Sequence, residues 1–488
     1  MLNGSTLLGT AEVVNNGCTF LRNLVLARLL SKEDFGIAAT LALVVTLFEL
    51  AGRMSFSQQV IQSPSGDEPA FLQSSHACQA LAGIVSAALI VSLSYPLAHL
   101  FGIGTHWEAL MLLTIIPLCT GFGSLEIYRL VRHLRFGPLV LADMAPQILI
   151  TLAAWPLAAW LRDYRAILCL LLVKSVFSLV ASHVLAERPY RLSWQPQLMY
   201  ESFRFGWPLL ASGFLLFGVF QGDRMLIAGA YSMSDLGVYA VASTLAMAPM
   251  FTLYKVFGPV SLPVLARAQR DLPKFRTFYG LSAQALALCG TVFVVAMILG
   301  GETVITLLFG EKYREAGVLA AWLTVGQSVR ILRAAPTNAA LAKGDTVNSF
   351  LSNLWRLLGL GLAVPVVLFK LDLRWIAVAG GLGELLALGA SLVRLRRKHN
   401  VPFGDCLCPG ILMLILTLTA FLVRGGSAPT HIASTLALAV LGCAVSLTVF
   451  GVVFADLRRV SFSLLSDVRL RLTNISQNAR LRRAANRA

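Results

Sequence analysis

Charge is scarce in this chain. Asp, Glu, Lys and Arg make up 13% of its 488 residues, while 57% are hydrophobic. A soluble domain carries about 25% charged residues, so an ordinary water-soluble globule is excluded. Acidic residues are scarcer than basic ones, 24 against 40, for a net charge of +16. The Lys and Arg are not gathered on one face, which argues against a nucleic-acid partner. They fall mostly between apolar runs, as topology-setting charge does. Enzyme signatures are missing as well. No GxxxxGK[ST] is present, so no P-loop serves ATP hydrolysis. Without HExxH or a paired Cys-x-x-Cys, no metal or cofactor is expected. The eight cysteines lie mostly inside apolar runs and read as small hydrophobes. Cys406 and Cys408 lack the second Cys/His pair a zinc site needs. The N-terminus has no charged n-region or small-residue cleavage site, so its first apolar run reads as a retained helix.

What is present is one apolar run after another. A bilayer core takes roughly 20 apolar residues per helix. Such runs occur at 7–28, 36–60, 76–100, 108–127, 138–161, 165–186, 205–229, 236–260, 278–300, 316–342, 346–369, 374–395, 408–424 and 431–455. The fold class is therefore all-α polytopic membrane protein, with about fourteen transmembrane helices. The first span is the least hydropathic. Joints 128–138, 187–204, 262–277 and 395–407 are rich in Lys and Arg, whereas 101–108, 230–235 and 424–431 carry almost none. The positive-inside rule puts the rich joints and both termini in the cytoplasm. Joint 61–75 is the exception, with Asp67 and Glu68 and no Lys or Arg.

An internal repeat is visible. Ser31, Asp34, Gly36 and Ala39 recur as Ser232, Asp235, Gly237 and Ala240, 201 residues on, and Leu100-Phe101-Gly102 is echoed by Leu308-Phe309-Gly310. One repeat unit holds six spans, so the halves share an orientation and are related by an axis along the membrane normal. The expected domains are an N-terminal six-helix bundle at 1–200, a C-terminal one at 201–400, two additional helices at 401–455 and a basic cytoplasmic tail at 456–488. Val460, Leu464, Val468, Leu472 and Ile475 give that tail the pattern of an amphipathic surface helix. The glycine-rich 380–389 lies in an apolar span and reads as close helix packing rather than a dinucleotide loop.

Charges inside the spans are the most informative feature. Each costs about 2.5–3.5 kcal/mol at mid-bilayer even on the insertion scale. The cations are Arg22, Arg53, Lys174, Arg224, Lys255, Arg330, Arg333 and Arg356; the acids are Glu12, Glu49, Asp143, Asp223 and Glu384. They fall on polar stripes. Asn15, Thr19, Arg22 and Asn23 share a face, Glu49 can pair with Arg53 at i,i+4, and Gln221 and Arg224 are i,i+3. Gln327, Arg330, Arg333, Thr337 and Asn338 form another stripe, with Pro336 expected to kink it. An excess of cations suits an anion such as a phosphate or pyrophosphate. The competing reading is structural, with interhelical ion pairs or snorkelling side chains. Asp223 fits a structural partner for an arginine better than a proton carrier.

The stretches LRNLVLARLLSKEDFGIAATLALVVTLFELAGRMSFSQQVIQ, FRFGWPLLASGFLLFGVFQGDRMLIAGAYSMSDLGVYAVASTLAMAPM and TVITLLFGEKYREAG carry a resemblance. In their order and spacing the chain, from 1 to about 455, resembles the Wzx-type polysaccharide flippases of the multidrug/oligosaccharidyl-lipid/polysaccharide exporter superfamily. The resemblance implies two six-helix bundles forming a V-shaped lumen, plus two extra helices. It implies transport of an undecaprenyl-pyrophosphate-linked oligosaccharide across the bacterial inner membrane by alternating access, without enzymatic chemistry. Lipid-linked oligosaccharide and membrane lipids are the implied partners, with a polysaccharide polymerase and a chain-length regulator as candidate protein partners. In related lipid II flippases, cations of the first, second and eighth helices line the cavity. Arg22, Arg53 and Lys255 occupy comparable places, Lys255 departing from the more usual arginine. The substrate-binding candidates are Arg22, Arg53, Arg224, Lys255, Arg330 and Arg333; Glu49 and Asp223 are the coupling-ion candidates. Rival readings are a cation-coupled drug exporter, a membrane-embedded polymerase or ligase, and an assembly scaffold.

Overall fold

The computed structural model describes residues 2–53, 56–426 and 432–459. Among them the regular structure is entirely helical. The helices are α1 (Leu2–Leu29), α2 (Lys32–Arg53), α3 (Phe56–Gln62), α4 (Pro69–Leu100), α5 (Trp107–Leu112), α6 (Ile115–Gly121), α7 (Glu126–Arg132), α8 (Gly137–Leu161) and α9 (Arg165–Val184). They continue as α10 (Pro196–Ala230), α11 (Met233–Arg267), α12 (Leu272–Phe309), α13 (Ala316–Ala342), α14 (Thr346–Leu368), α15 (Leu373–His399), α16 (Gly404–Gly426) and α17 (Ile432–Val453). Ten are long and apolar enough to cross a membrane, eleven with the bent segment 104–132 taken as one span. The helices α1, α2 and α13, which carry polar residues, are not among these. All three nonetheless have the length of a span, at 28, 22 and 27 residues. Most of the expected amphipathic tail, 460–488, lies outside the described residues.

Apolar side chains face outward. Leu152, Trp160, Leu422 and Val452 are 72, 79, 76 and 70% exposed, whereas Gln79, Gln147, Thr291 and Ser328 are buried. This inversion of a soluble protein is what lipid as solvent selects. Glycines set the closest approaches. A Cβ at Gly83 would lie 2.8 Å from the Gly121 Cα, and one at Gly359 would lie 2.6 Å from the Gly383 Cα. Within the glycine-rich run at 380–389, Gly383 packs closely against α14 as expected, whereas Gly380 and Gly389 meet open space.

The expected single span at 108–127 is a correction. It is broken into α5, α6 and α7, with a 45° bend between 104–121 and Glu126–Arg132. Pro117, Gly121 and Gly123 weaken the helix, and neighbouring side chains take up the freed backbone groups. Gln79 Nε2 donates to the carbonyls of Thr120, Gly121 and Gly123 at 2.7, 3.3 and 3.1 Å. His76 Nε2 accepts the Leu125 N–H at 2.9 Å, Ser182 Oγ accepts that of Ser124 at 3.0 Å, and His183 Nε2 donates to the Phe122 carbonyl at 2.9 Å. A break at membrane depth is tolerated only with such partners.

The chain forms two compact units. The first comprises Met1–Thr252, Glu302–Leu323 and Asn353–Gly383. At one of its ends the acidic joint meets the basic ones: Asp67 accepts from Arg132 at 3.2 Å and His133 at 2.7 Å, while Arg188 donates to its backbone carbonyl at 2.8 Å. These partners, His133 first, hold the Asp67 carboxyl below its ordinary range. The exceptional joint 61–75 thus supplies a counter-ion to joint 128–138 and a carbonyl acceptor to joint 187–204. At another end of the same unit, Lys32 pairs with Glu315, Arg28 donates to the Leu308 carbonyl at 2.5 Å, and the Tyr231 hydroxyl donates to the Leu371 carbonyl at 2.6 Å. These ties draw 302–323 and 353–383 into the first unit, so the units are not coextensive with the sequence halves.

The repeat lies at this second end. Ser31 and Ser232 cap α2 and α11, their Oγ atoms accepting the N–H of Asp34 and Asp235 at 3.0 and 3.1 Å. Each hydroxyl donates back to the same aspartate, at 2.5 and 2.7 Å, a variant of the capping box. Gly36 and Gly237 follow two residues after each aspartate, and the helices cross there. A Cβ on Gly36 would lie 1.8 Å from the Met233 carbonyl oxygen; one on Gly237 would lie 2.2 Å from that of Lys32. Lys32 and Met233 are themselves repeat equivalents, so the contact is reciprocal and defines a local pseudo-twofold axis. The second echo also has a backbone meaning: Gly102 and Gly310 follow the ends of α4 and α12 with φ of +65° and +98°.

The second unit comprises Leu253–Gly301, Thr324–Ser352 and Glu384–Ala488. Its joints are also tied by charge. Arg276 pairs with Asp405 at 3.0 Å. Asp345, in the α13–α14 joint, accepts from Arg394 through both oxygens at 2.8 Å and pairs with Lys398 at 3.2 Å. Arg394 chiefly, then Lys398, lowers the Asp345 carboxyl to about 2.

Candidate functional site

Two cavities open inside the first unit. The smaller, of ≈ 160 Å³, is lined by Arg22 and Asn23 from α1, Thr46 from α2, Gln221 and Arg224 from α10, and Thr244 from α11. The α1 stripe therefore meets the α10 stripe, joining Arg22 and Arg224 across roughly two hundred residues of sequence. Arg224 Nη2 donates to Ser243 Oγ at 2.8 Å and Nη1 to Gln221 Oε1 at 3.4 Å, while its Nε has no partner. Among the described residues no carboxylate lines this cavity. The Arg224 guanidinium is held there by a neutral amide and a hydroxyl, and two guanidinium groups in such a lining have the chemistry that suits an anion.

The larger cavity, ≈ 550 Å³, has a different chemistry. It is lined by Asn15, Asn16 and Thr19 of α1, Glu49 of α2, Asp143 and Gln147 of α8, and Lys174, Ser175, Ser178 and Ser182 of α9. Ala42, Thr46 and Leu171 line both cavities, so the two adjoin. Gln147 Nε2 donates to Thr19 Oγ1 at 3.0 Å, which fixes α8 against the polar face of α1. This hydroxyl-rich lining was not singled out from sequence, although Lys174, Ser178 and Ser182 repeat every four residues on one helix face.

The other expected residues divide. Asp223 accepts the Tyr239 hydroxyl and the Arg224 backbone N–H, the latter at 2.8 Å. Among the described contacts the Arg224 guanidinium turns to Ser243 and Gln221, so the expected Arg partnership of Asp223 is replaced by a tyrosine. In the second unit, Arg333 pairs with Glu384 at 3.2 Å and Arg330 approaches the same carboxylate at 4.0 Å. Asn338 Nδ2 donates to Ser261 Oγ at 2.9 Å. Arg356 stacks on the Phe220 ring at 4.8 Å. The side chains of Arg53 and Lys255 lie outside the described residues, and with them the expected Glu49–Arg53 pair.

Apolar outer faces, a polar interior and a guanidinium-lined cavity define a multi-pass membrane protein. Over residues 25–318 the chain matches the family described as polysaccharide biosynthesis protein, and it belongs to that family. Its recognition as a Wzx-type member of the exporter superfamily stands on this match and on the relatives. It is 24% identical over 318 residues to the succinoglycan biosynthesis transport protein ExoT of Rhizobium meliloti (strain 1021), covering 64% of this chain and 63% of that one. It is 23% identical over 239 residues to the teichuronic acid biosynthesis protein TuaB of Bacillus subtilis (strain 168), covering 48 and 49%. The chain thus spans less than two thirds of the length of these relatives. In fold it is similar to the lipid II flippase MurJ in an inward closed conformation, with a TM-score of 0.71, 14% identity, and coverage of 92% of this chain and 99% of that one.

Proposed function

We propose that this protein moves an undecaprenyl-pyrophosphate-linked oligosaccharide from the cytoplasmic to the periplasmic leaflet of the bacterial inner membrane, for O-antigen, capsule or exopolysaccharide assembly. The observation that carries the reading is the cavity shared by Arg22 and Arg224, in which no carboxylate lines the wall among the described residues. A pyrophosphate satisfies guanidinium groups that lipid cannot, and the polyprenyl tail stays in the bilayer. The names of the relatives, one a succinoglycan transport protein and one a lipid II flippase, support the same cargo class. A drug exporter moving cations fits the Arg22/Arg224 cavity less well, because its described lining carries two guanidinium groups and no carboxylate.

In this reading the chain crosses the membrane fourteen times, α1, α2 and α13 included, with both termini cytoplasmic. Six-helix bundles at 1–200 and 201–400 alternate access, followed by the extra helices at 401–455. Arg53 and Lys255 are assigned to the same substrate on the sequence argument. Arg330 and Arg333 share Glu384, so an anion reaches them only in competition with that carboxylate. An inside-negative potential favours outward movement of the anion by about 2.3 kcal/mol per charge per 100 mV. Glu49 and Asp223 are the coupling-ion candidates.

The test is transport of labelled lipid-linked saccharide in proteoliposomes by Arg22→Ala and Arg224→Ala. Each loses a charge-assisted hydrogen bond worth about 1.5–3 kcal/mol, so transport falls at least tenfold. Full transport by both correctly inserted variants would overturn the assignment.

A further inference from the structure

The larger cavity is too polar to be packing. Its lining sets Glu49, Asp143 and Lys174 among the carboxamides of Asn15 and Gln147 and the hydroxyl of Ser178, within a bundle whose outer faces are apolar. Burying such groups is costly unless something hydrogen-bonds them. Among the described residues two carboxylates and one ammonium line it, a lining less suited to phosphate than the guanidinium pair of the smaller cavity. Apolar cargo would leave Asn15 Oδ1, which has no hydrogen-bond partner, unpaired. A neutral polyhydroxyl ligand suits it, because carboxylates and carboxamides offer paired acceptors and donors to vicinal hydroxyls. The volume lies within the range of about 300–1,000 Å³ in which small-molecule ligands are enclosed.

Position adds the decisive constraint. The cavity adjoins the Arg22/Arg224 cavity through Ala42, Thr46 and Leu171. In a lipid-linked saccharide the first sugar is bonded directly to the pyrophosphate, so a pyrophosphate at the guanidinium groups places that sugar beside the shared wall. We propose that the larger cavity is a saccharide subsite for the reducing-end sugars of the cargo, with Asp143, Gln147 and Ser178 as specificity-determining residues; the inference rests on the flippase reading. The two cavities divide the work by charge: one takes the anion, the other the neutral sugars.

The experiment uses the full chain in proteoliposomes and two probes, lipid-linked saccharide extracted from the producing strain's membranes and sugar-free undecaprenyl pyrophosphate. The readout is the ratio of their transport rates. In Gln147→Ala and Ser178→Ala this ratio falls tenfold or more. Neither residue ionises, so loss of a coupling proton does not account for the change. In Arg22→Ala both rates fall together. Unchanged ratios in both cavity variants, with both rates lost in Arg22→Ala, overturn the saccharide subsite and leave the flippase reading standing. Unchanged rates in Arg22→Ala overturn the flippase reading and the subsite with it. Ser178→Ala removes one exposed-to-cavity hydroxyl and no packing volume, so it keeps the test interpretable where Gln147→Ala, which also loses its bond to Thr19, fails to fold.

Discussion

Replacing Gly36 by alanine perturbs the crossing of α2 and α11 at its tightest point. The new Cβ would stand 1.8 Å from the Met233 carbonyl oxygen, 2.7 Å from its carbon and 3.1 Å from the Gly237 nitrogen. Close C···O contacts settle near 3.3–3.6 Å, so the helices must separate by roughly 1.5 Å. The obstacle is backbone, and no rotamer change relieves it. Overpacking of this kind typically costs about 1–3 kcal/mol. The strain acts only where α2 and α11 are closed on each other, so it shifts population from the closed to the open arrangement by about 5- to 150-fold. Spin labels at Glu33 and Glu311, both exposed on the tied end of the first unit, report this by double electron–electron resonance. Gly36→Ala and Gly237→Ala should each move the distance distribution to longer values, and Gly36→Leu should move it further. A distribution that stays at the wild-type position in Gly36→Leu, with transport intact, would show that the crossing does not need its glycines and refute the argument.

Three further outcomes follow from named contacts. Glu384→Gln leaves the Arg330 and Arg333 guanidinium groups without their buried counter-charge, which costs about 3–5 kcal/mol; thermal unfolding in detergent measures it, and Arg333→Met added to Glu384→Gln should recover part of the loss. Asp345 is held at about 2 by Arg394 and Lys398, a depression from the ordinary 3.8 worth about 2 kcal/mol. That stabilisation is present above about pH 4 and is lost as the pH falls toward 2, so acid-induced unfolding between these values should flatten in Asp345→Asn. Gln79→Ala uncaps three carbonyls of the broken segment and should destabilise by about 1–3 kcal/mol, read as a lower melting temperature and poorer membrane yield.

Most span positions were legible because hydropathy acts locally. The expected 316–342 and 346–369 coincide with α13 and α14 nearly to the residue. The break inside 108–127 was not legible, because a helix of that composition is disfavoured only weakly and becomes breakable once Gln79 and His76, on another helix, take its backbone groups. The acidic joint 61–75 looked anomalous for the same reason: Asp67 finds its cations at Arg132 and His133, more than sixty residues away. In the site, the helical spacing of Arg22 with Asn23 and of Gln221 with Arg224 carried real information about which faces are wet. It carried none about which stripes meet. The pairing of Glu384 with Arg333 spans fifty-one positions, and no periodicity connects them.

That limit changes the electrostatic argument. From sequence, a surplus of in-span cations over acids reads as one positive cavity. The described side chains instead sort charge into compartments: a cavity lined by Arg22 and Arg224 and by no described carboxylate, two guanidinium groups sharing Glu384, and a lining that mixes Glu49 and Asp143 with Lys174. Anion selection therefore depends on where the carboxylates are, and not on the total. A carboxylate about 4 Å from a guanidinium is worth about 4 kcal/mol at an effective dielectric constant of 20, and a phosphate must displace it to bind at Arg330 or Arg333. No such displacement is needed at Arg22 and Arg224. That difference is why the proposed pyrophosphate site is assigned to Arg22 and Arg224 and not to Arg330 and Arg333.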